Sequence, residues 1–393
     1  MTTKILSRDA SARRQREAPD SASKQPASPQ LGRAITIAVV AAAIVSLILL
    51  AFSWPSVTSD PEDLPVAAVG DQEQIDQITD HAPEGMLDVH RVDSRQEAVQ
   101  LIREREVYGA FVVDKDDPEI LTAEAASTAV AQQLSTIGST MQQKIDDQVI
   151  SGLQEGTEKM QKQMEKAVTA AAGRAPSQAD GAGEDAGADA SAMEVPQVKI
   201  TEVVPLSDDD PSGAGLAIAG LPLTIGGIVG GVLTSMGIRS QRMRSVGTLV
   251  YGAVGGVALG LIMQTWFGIL QGDFGLNALA IGLSIAATAG LINGFVSLIG
   301  PAGIGIGAVL TMFIGNPIAS LNQPKEFLVG AWGDIGQFFV PGAAGTLLRD
   351  VSYFPDAAVG LQWWVLIAWF VVGIALILIG HLIAHRRTTT SAH

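Results

Sequence analysis

Six uninterrupted apolar blocks constrain this chain more than any other feature. They run over residues 35–53, 214–236, 246–266, 276–298, 302–320 and 362–383. Each approaches the ~20 residues that carry a helix across a ~30 Å hydrocarbon core. A backbone in hydrocarbon must satisfy its own hydrogen bonds, so helices are the expected form. None of the six blocks contains Asp, Glu, Lys or Arg. Only 17% of the 393 residues are charged, which excludes an ordinary soluble enzyme. The expected fold is a polytopic all-α membrane bundle of six transmembrane helices. An extracytoplasmic α/β domain and a long helical arm are inserted between helices one and two.

The first block ends at Trp54-Pro55 and is followed by no immediate Ala-x-Ala site. It is longer than the ~7–15 residues of a signal peptide core, so it reads as an uncleaved anchor. The block at 302–320 is the weakest of the six, because Asn316-Pro317 interrupts it.

Charge placement predicts the orientation. Residues 1–34 carry 7 Lys/Arg and 3 Asp/Glu. Arg239, Arg242 and Arg244 occupy the short loop after the second block, and Arg386 and Arg387 follow the last. With six spans these segments share one side, and the positive-inside rule makes it cytoplasmic. Residues 54–213 then lie outside, as does the loop 321–361, while 384–393 form a second cytoplasmic tail. The stretch 56–213 carries 11 basic and 32 acidic residues, a net of −21 that exceeds the whole chain's −15. Such acidity argues against a nucleic-acid partner. No cysteine occurs, which excludes disulfides and thiolate chemistry.

The absence of Asp, Glu, Lys and Arg from the blocks argues against a self-powered antiporter. Gln264, Asn277, Asn293 and Asn316 are the polar candidates within or beside the bundle, as interhelical hydrogen-bonding groups or as a carbonyl-type ion site. Glycines recur four apart at Gly226/Gly230, Gly227/Gly231, Gly252/Gly256 and Gly303/Gly307. This spacing lets helix backbones approach closely, either for static packing or as a sliding seam.

The inserted segment divides into two. Residues 64–122 alternate between strand and helix patterns: Leu64–Val69, a helix from Gln72 to His81, Met86–Val92, a helix from Arg95, Val107–Val113 and Glu119–Thr122. Ser94 and Glu97 form a capping-box spacing at the start of the second helix. From Ala123 to Ala172 apolar residues recur every three or four positions. A continuous helix over this stretch would reach roughly 65 Å. Such a length suggests a coiled-coil or helix-hairpin arm, and packing on the α/β module and pairing with a second copy or another partner are both open for it. Residues 173–193 are rich in Ala, Gly and Asp and read as a flexible linker. Pro196–Leu206 alternates like a returning strand, and Asp208–Asp210 reads as a solvated charge run. The loop 321–361 is too apolar for a solvated connection. Residues 327–340 suit a helix at the bilayer surface, broken at Pro341-Gly342, with a second short helix over Leu347–Tyr353. Trp332, Phe338, Phe339, Arg349, Tyr353 and Phe354 are candidates for contact with lipid or a lipid-like substrate. Arg349 is expected to pair with Asp334 or Asp350, or to reach a headgroup.

The chain resembles the ABC-2 type permease superfamily, and within it the YhgE/Pip-like membrane proteins. The resemblance rests on an N-terminal anchor, an outer insert and clustered later spans. It rests also on Leu64–Gly70, Ser94 with Glu97-Ala98, Tyr108–Val113, and the run Gly336-Gln337, Pro341-Gly342-Ala343, Leu348-Arg349 and Tyr353-Phe354. It implies a homodimeric permease subunit that exports a lipid, polysaccharide, drug or peptide, driven by a separate ATPase. This chain departs from the exporters in two places: residues 1–30 are not amphipathic, and the loop Arg239–Arg244 is very short. YhgE/Pip-like kinship also implies two alternatives, an envelope scaffold or secretion accessory protein and a surface or phage receptor, both acting through the outer domain.

Motifs for catalysis are missing. No G-x-x-x-x-G-K-[ST], G-x-S-x-G or H-E-x-x-H run occurs. Of the histidines, His81 and His90 have no metal-ligand cluster around them, and His381 and His385 share one helix face at the end of the last block. No enzyme activity, cofactor or metal is expected.

Overall fold

A computed structural model describes residues 29–59, 61–79, 85–114, 117–172 and 196–390. The tail before residue 29, His81 and the linker 173–193 lie outside the described residues. Two compact units are distinguished, Met1–Leu50 and Ala51–His393. The first contains the larger part of helix α1 (Pro29–Val57), whose apolar stretch Thr36–Pro55 is long enough to cross a membrane. Its Ser46 hydroxyl donates to the carbonyl of Ala42, which satisfies it inside an apolar helix.

The second unit begins with the α/β module. Strands β1 (Leu64–Val69), β2 (Leu87–Arg91), β3 (Gly109–Val112), β4 (Glu119–Thr122) and β5 (Lys199–Glu202) form one sheet in the order β2-β1-β3-β4-β5. β1 runs parallel to β2 and β3, β4 is antiparallel to β3, and β5 is parallel to β4. Leu64, Val66, Ala67 and Ala68 are all buried, as expected for a parallel strand with parallel neighbours on both sides. Helices α2 (Gln72–Thr79) and α3 (Arg95–Arg103) supply the crossovers. The cap of α3 is reciprocal. Ser94 Oγ accepts from the N–H of Glu97, and the Glu97 carboxylate accepts from the N–H of Asp93.

Helix α4 (Thr128–Ala172) is continuous over 45 residues. Val130, Ala131 and Leu134 are buried at its base, where it packs on β4 and β5. Every residue from 151 to 166 is exposed.

The bundle follows. Helices α5 (Ala214–Gly237), α6 (Gln241–Gly260) and α7 (Phe274–Ile299) precede α8 (Ala302–Ala308), α9 (Trp332–Gly336), α10 (Val340–Tyr353) and α11 (Gly360–Thr390). α6 and α8 continue as π-helical turns over Leu261–Trp266 and Val309–Gly315. α7 is the axis, with all residues from Ser284 to Gly294 buried. Gly227 and Gly231 of α5 face Thr288 and Ile292, so α5 runs parallel to α7. Gly373 and Gly380 of α11 face Gly290 and Ser297, in the same direction. Gly252 and Gly256 of α6 face Ala286 and Ala278, and Gly303 and Gly307 of α8 face Phe295 and Ile292, so these two run antiparallel.

One of the six expected membrane-crossing helices is corrected in length and not in the return of the chain: α11 runs parallel to α7, so the chain comes back between them. Among the described residues five helices are long and apolar enough to cross: α1, α5, α6 with its π turn, α7 and α11. The block at 302–320 instead forms a shorter apolar helix, Ala302–Gly315. At ~1.5 Å per residue its 14 residues reach about 20 Å, short of a ~30 Å core. Pro317 ends it by supplying no N–H, while Asn316 before it keeps right-handed helical dihedrals (φ −72°, ψ −42°). A second correction concerns Pro341-Gly342. The pair opens α10 rather than breaking a helix, because a proline in the first turn removes an N–H that has no intrahelical acceptor. Nor does α10 lie on the surface: Val340, Ala343, Leu347 and Leu348 are buried.

Candidate functional site

The richest polar chemistry lies where the module meets the outer end of the bundle. α3 ends in a Schellman motif. The N–H of Arg105 donates to Ile102 and that of Glu106 to Leu101. Arg105 occupies the left-handed position of this motif, at φ 58°. Glycine is the usual residue there, since a Cβ makes the conformation unfavourable by about 1–2 kcal/mol. The arginine instead reaches across to the carboxylate of Asp350 on α10, and its guanidinium lies 5.8 Å from the centre of the Phe354 ring. One turn of chain later Tyr108 donates to Glu326 at 2.9 Å.

Arg349, beside Asp350, does not pair with Asp334 or Asp350. It donates to the carbonyls of Ala126 (2.6 Å) and Leu321 (3.1 Å), and so joins the root of the arm to the loop after α8. Asp334 is taken by Lys325, at 2.6 Å. Burial lowers the Arg349 pKa to about 10, and the neighbouring Arg105 charge adds to this, so Arg349 remains protonated at neutral pH. Burial acts to lower Arg105 as well, but Asp350, Tyr108 and Glu326 outweigh it and hold the guanidinium above its ordinary value. Burial pushes the Asp350 carboxyl up against the pull of both arginines. Tyr108 is raised by burial and by Glu326.

A cavity of about 720 Å³ opens along this junction, with Arg105, Tyr108, Glu326, Phe338, Asp350 and Gln362 among its lining. A second, of about 680 Å³, lies between Val203–Asp209 and the end of α10, with Arg103 and Tyr353 on its wall. Asp210 beside it is not solvated. It is 7% exposed and accepts from the N–H groups of Gly215 and Leu216, capping α5.

The sequence candidates therefore separate by environment. Trp332 and Phe338 are exposed at the outer end of the bundle. Trp332 meets Trp54 edge-on at 6.1 Å, and the carbonyl of Phe338 accepts from the Trp369 indole. Phe339 tilts against the Trp369 ring at 6.3 Å. Tyr353 donates to the carbonyl of Ile269, and Phe354 is fully buried. Asn277 and Gln264 come together. Asn277 donates to Gln264 Oε1 (2.9 Å) and to the carbonyl of Gln271 (2.7 Å), and it accepts from Ser352 of α10 (2.9 Å). Asn293 is remote from these; it donates to Thr234 of α5 (2.7 Å) and Thr248 of α6 (3.0 Å). Asn316 is buried at the end of the short helix.

The glycines differ in what they face. A Cβ at Gly252 would lie 2.7 Å from Ala286 Cβ and 2.8 Å from the Gly282 carbonyl, and one at Gly256 2.8 Å from Gly282 Cα. At Gly227 and Gly231 it would meet Thr288 at 2.6 Å and Ile292 at 2.9 Å. Gly230 faces the Tyr251 ring, whose hydroxyl donates to the carbonyl of Gly226 at 2.6 Å. At Gly303 a Cβ would collide with the Phe295 backbone, and at Gly307 it would lie 2.6 Å from the Ile292 side chain. Among the described residues no group of three or more His, Cys, Asp or Glu is placed to hold a metal ion.

Sequence reasoning missed Arg105, Tyr108 and Glu326. A signal existed for the first: an arginine stands where the end of a capped helix normally takes glycine.

The fold and this junction define a class: a multi-pass helical membrane protein with a large extracytoplasmic mixed α/β domain joined to the outer end of its bundle. Residues 33–182 match the family model described as ABC-2 family transporter protein. The matched stretch takes in the apolar part of α1, strands β1 to β4 and the whole of α4, and it stops before β5 and the bundle. No curated protein and no solved structure matches the chain.

Proposed function

We propose that this chain is the membrane subunit of an ABC-2-type exporter, moving an amphipathic or cell-envelope substrate with energy from a separate ATPase. The match of residues 33–182 to the ABC-2 transporter family carries the reading. The finer kinship to YhgE/Pip-like proteins belongs to the same proposal. The proposal takes both termini as cytoplasmic, with residues 54–213 outside, two copies forming the unit, and the short helix Ala302–Gly315 with the loop after it as the sixth crossing. The short helix Ala302–Gly315 leaves an apolar stretch of loop at the outer face, where the exposed Trp332 and Phe338 are candidates for substrate or lipid contact. The glycines of α5, α6 and α8 are proposed as the packing seam on which the bundle is built.

Affinity purification from native membranes in mild detergent tests the reading. Recovery of a stoichiometric nucleotide-binding subunit is expected, with ATP hydrolysis lost in the Walker-lysine variant of that subunit. Recovery of envelope components without any ATPase would sink it. That outcome would favour a second reading, an envelope scaffold, secretion accessory protein or surface receptor, for which the exposed apolar half of α4 speaks.

A further inference from the structure

We propose that the outer half of α4 is a self-pairing surface, on which residues 150–164 of two copies of this chain pack as a short coiled coil. The inference goes beyond transport and does not depend on it.

The base of α4 is occupied by the module, but beyond it apolar side chains stand in water. Ile150 is 52% exposed, Leu153 53%, Met160 64% and Met164 67%. These positions follow a strict heptad. Ile150, Thr157 and Met164 take the a positions, and Leu153 and Met160 take d. Charge placement then identifies the occupant. The stretch 150–169 holds six charged residues, Glu155, Glu158, Lys159, Lys162, Glu165 and Lys166. All six fall at b, c or f, the face turned away from the seam. There they neutralise one another, with Glu155–Lys159 at 3.5 Å and Glu158–Lys162 at 3.6 Å. The e and g flanks are uncharged: Gln154, Gln161, Val168, Gly156 and Gln163.

Partner choice in coiled coils is set by e and g charges. A neutral flank gives a basic or acidic partner nothing to select, whereas it lets identical helices meet without repulsion. That matters here, because residues 56–213 carry a net excess of acid and would repel a second copy almost anywhere else. Other occupants fit worse. An anionic lipid surface requires a basic polar face, and this one carries three Glu and three Lys. The linker 173–193 has one large apolar side chain, Met193, with which to fill the seam. Fewer than three heptads pair weakly in solution. Two copies anchored in one membrane meet at a much higher effective concentration, so weak pairing suffices.

The absence of native cysteine makes the test direct. Single substitutions Leu153→Cys, Met160→Cys and Met164→Cys would be made in the full-length chain in native membranes, beside Lys159→Cys and Lys162→Cys on the outward face. All five sites are exposed, so folding is not at stake, and labelling with a soluble maleimide verifies that each thiol is accessible. Mild oxidation should yield disulfide-linked dimer on the heptad face, roughly tenfold above the outward face. A dimer at every heptad position indicates parallel helices, and at only one or two positions antiparallel ones. Accessible thiols that give no dimer, equal yields on both faces, or an adduct with the mass of a different protein would each overturn the proposal.

Discussion

Two glycine pairs in this chain have the same spacing and opposite surroundings. Gly252 and Gly256 lie on α6 against the backbone of α7, where neither site has room for a methyl group. Gly152 and Gly156 lie on α4, where nothing stands within 4 Å of an added Cβ. In the bundle, missing side chains bring two helices into backbone contact, and packing makes up for the low helix propensity of glycine. On the arm the same residues only loosen the helix, because no neighbour compensates. The i,i+4 spacing therefore specifies a face and says nothing about what covers it.

The largest effect expected from this contrast is at Gly256. Leucine there must displace the α7 backbone at Ala278 and Gly282, which costs about 3 kcal/mol or more. Gly256→Leu should lose the folded bundle, read as aggregation or a lost unfolding transition in detergent. A variant with wild-type thermal stability would show that α6 and α7 are not in contact.

The next effect belongs to the junction. Arg105→Ala leaves the Asp350 carboxylate buried without its partner, and breaking a buried pair in this way costs about 3–5 kcal/mol. Arg105→Gly removes the same pair but suits the left-handed backbone, so it should be more stable than the alanine variant by about 1 kcal/mol. Thermal unfolding of the three proteins in nanodiscs separates the two contributions. Equal midpoints for the alanine and glycine variants would remove the backbone argument, and wild-type midpoints would remove the ion pair.

These residues also mark what can be read from a chain. The cap at Ser94 and Glu97 is legible because its partners are three residues apart. The strands of the module are legible because burial imposes alternation or continuous apolarity on a few consecutive residues. Arg105 and Asp350 are 245 positions apart, and no local pattern links them. Arg349 beside two acids invites an ion pair, yet its hydrogen bonds go to carbonyls, whose positions depend on how α4 and the post-α8 loop pack. Apolarity likewise marked 302–320 as membrane-like, but Pro317 leaves room only for the short helix Ala302–Gly315.

A smaller effect concerns the module's own ion pair. Arg95 hydrogen-bonds Glu119 and, with help from Thr201, holds its carboxyl below the ordinary value of about 4.5 against the effect of burial. A depressed folded-state pKa stabilises the protein above the unfolded value, and this stabilisation is lost as pH falls through the lowered one. The module should therefore lose stability on acidification below about pH 4.5, and Glu119→Gln should flatten that loss while lowering stability at neutral pH. Unfolding midpoints measured from pH 3 to 7 check it; parallel curves for the two proteins would show that Glu119 is not the group responsible.

The smallest effect returns to the arm. Gly152 falls on the outward face of α4, at a heptad c position, so alanine there touches nothing in one copy or in a pair. Its effect should be pure helix propensity, a gain of about 1 kcal/mol local to the middle of α4. Hydrogen exchange of the amides around 148–156 should slow by about fivefold, while the global unfolding midpoint stays fixed, because the arm beyond residue 150 opens without disturbing the bundle. A higher global midpoint would mean that the arm unfolds together with the module. Faster exchange would mean that the c face is itself covered by a neighbour, and the equivalence of all sides of the free helix except its heptad seam would have to be abandoned.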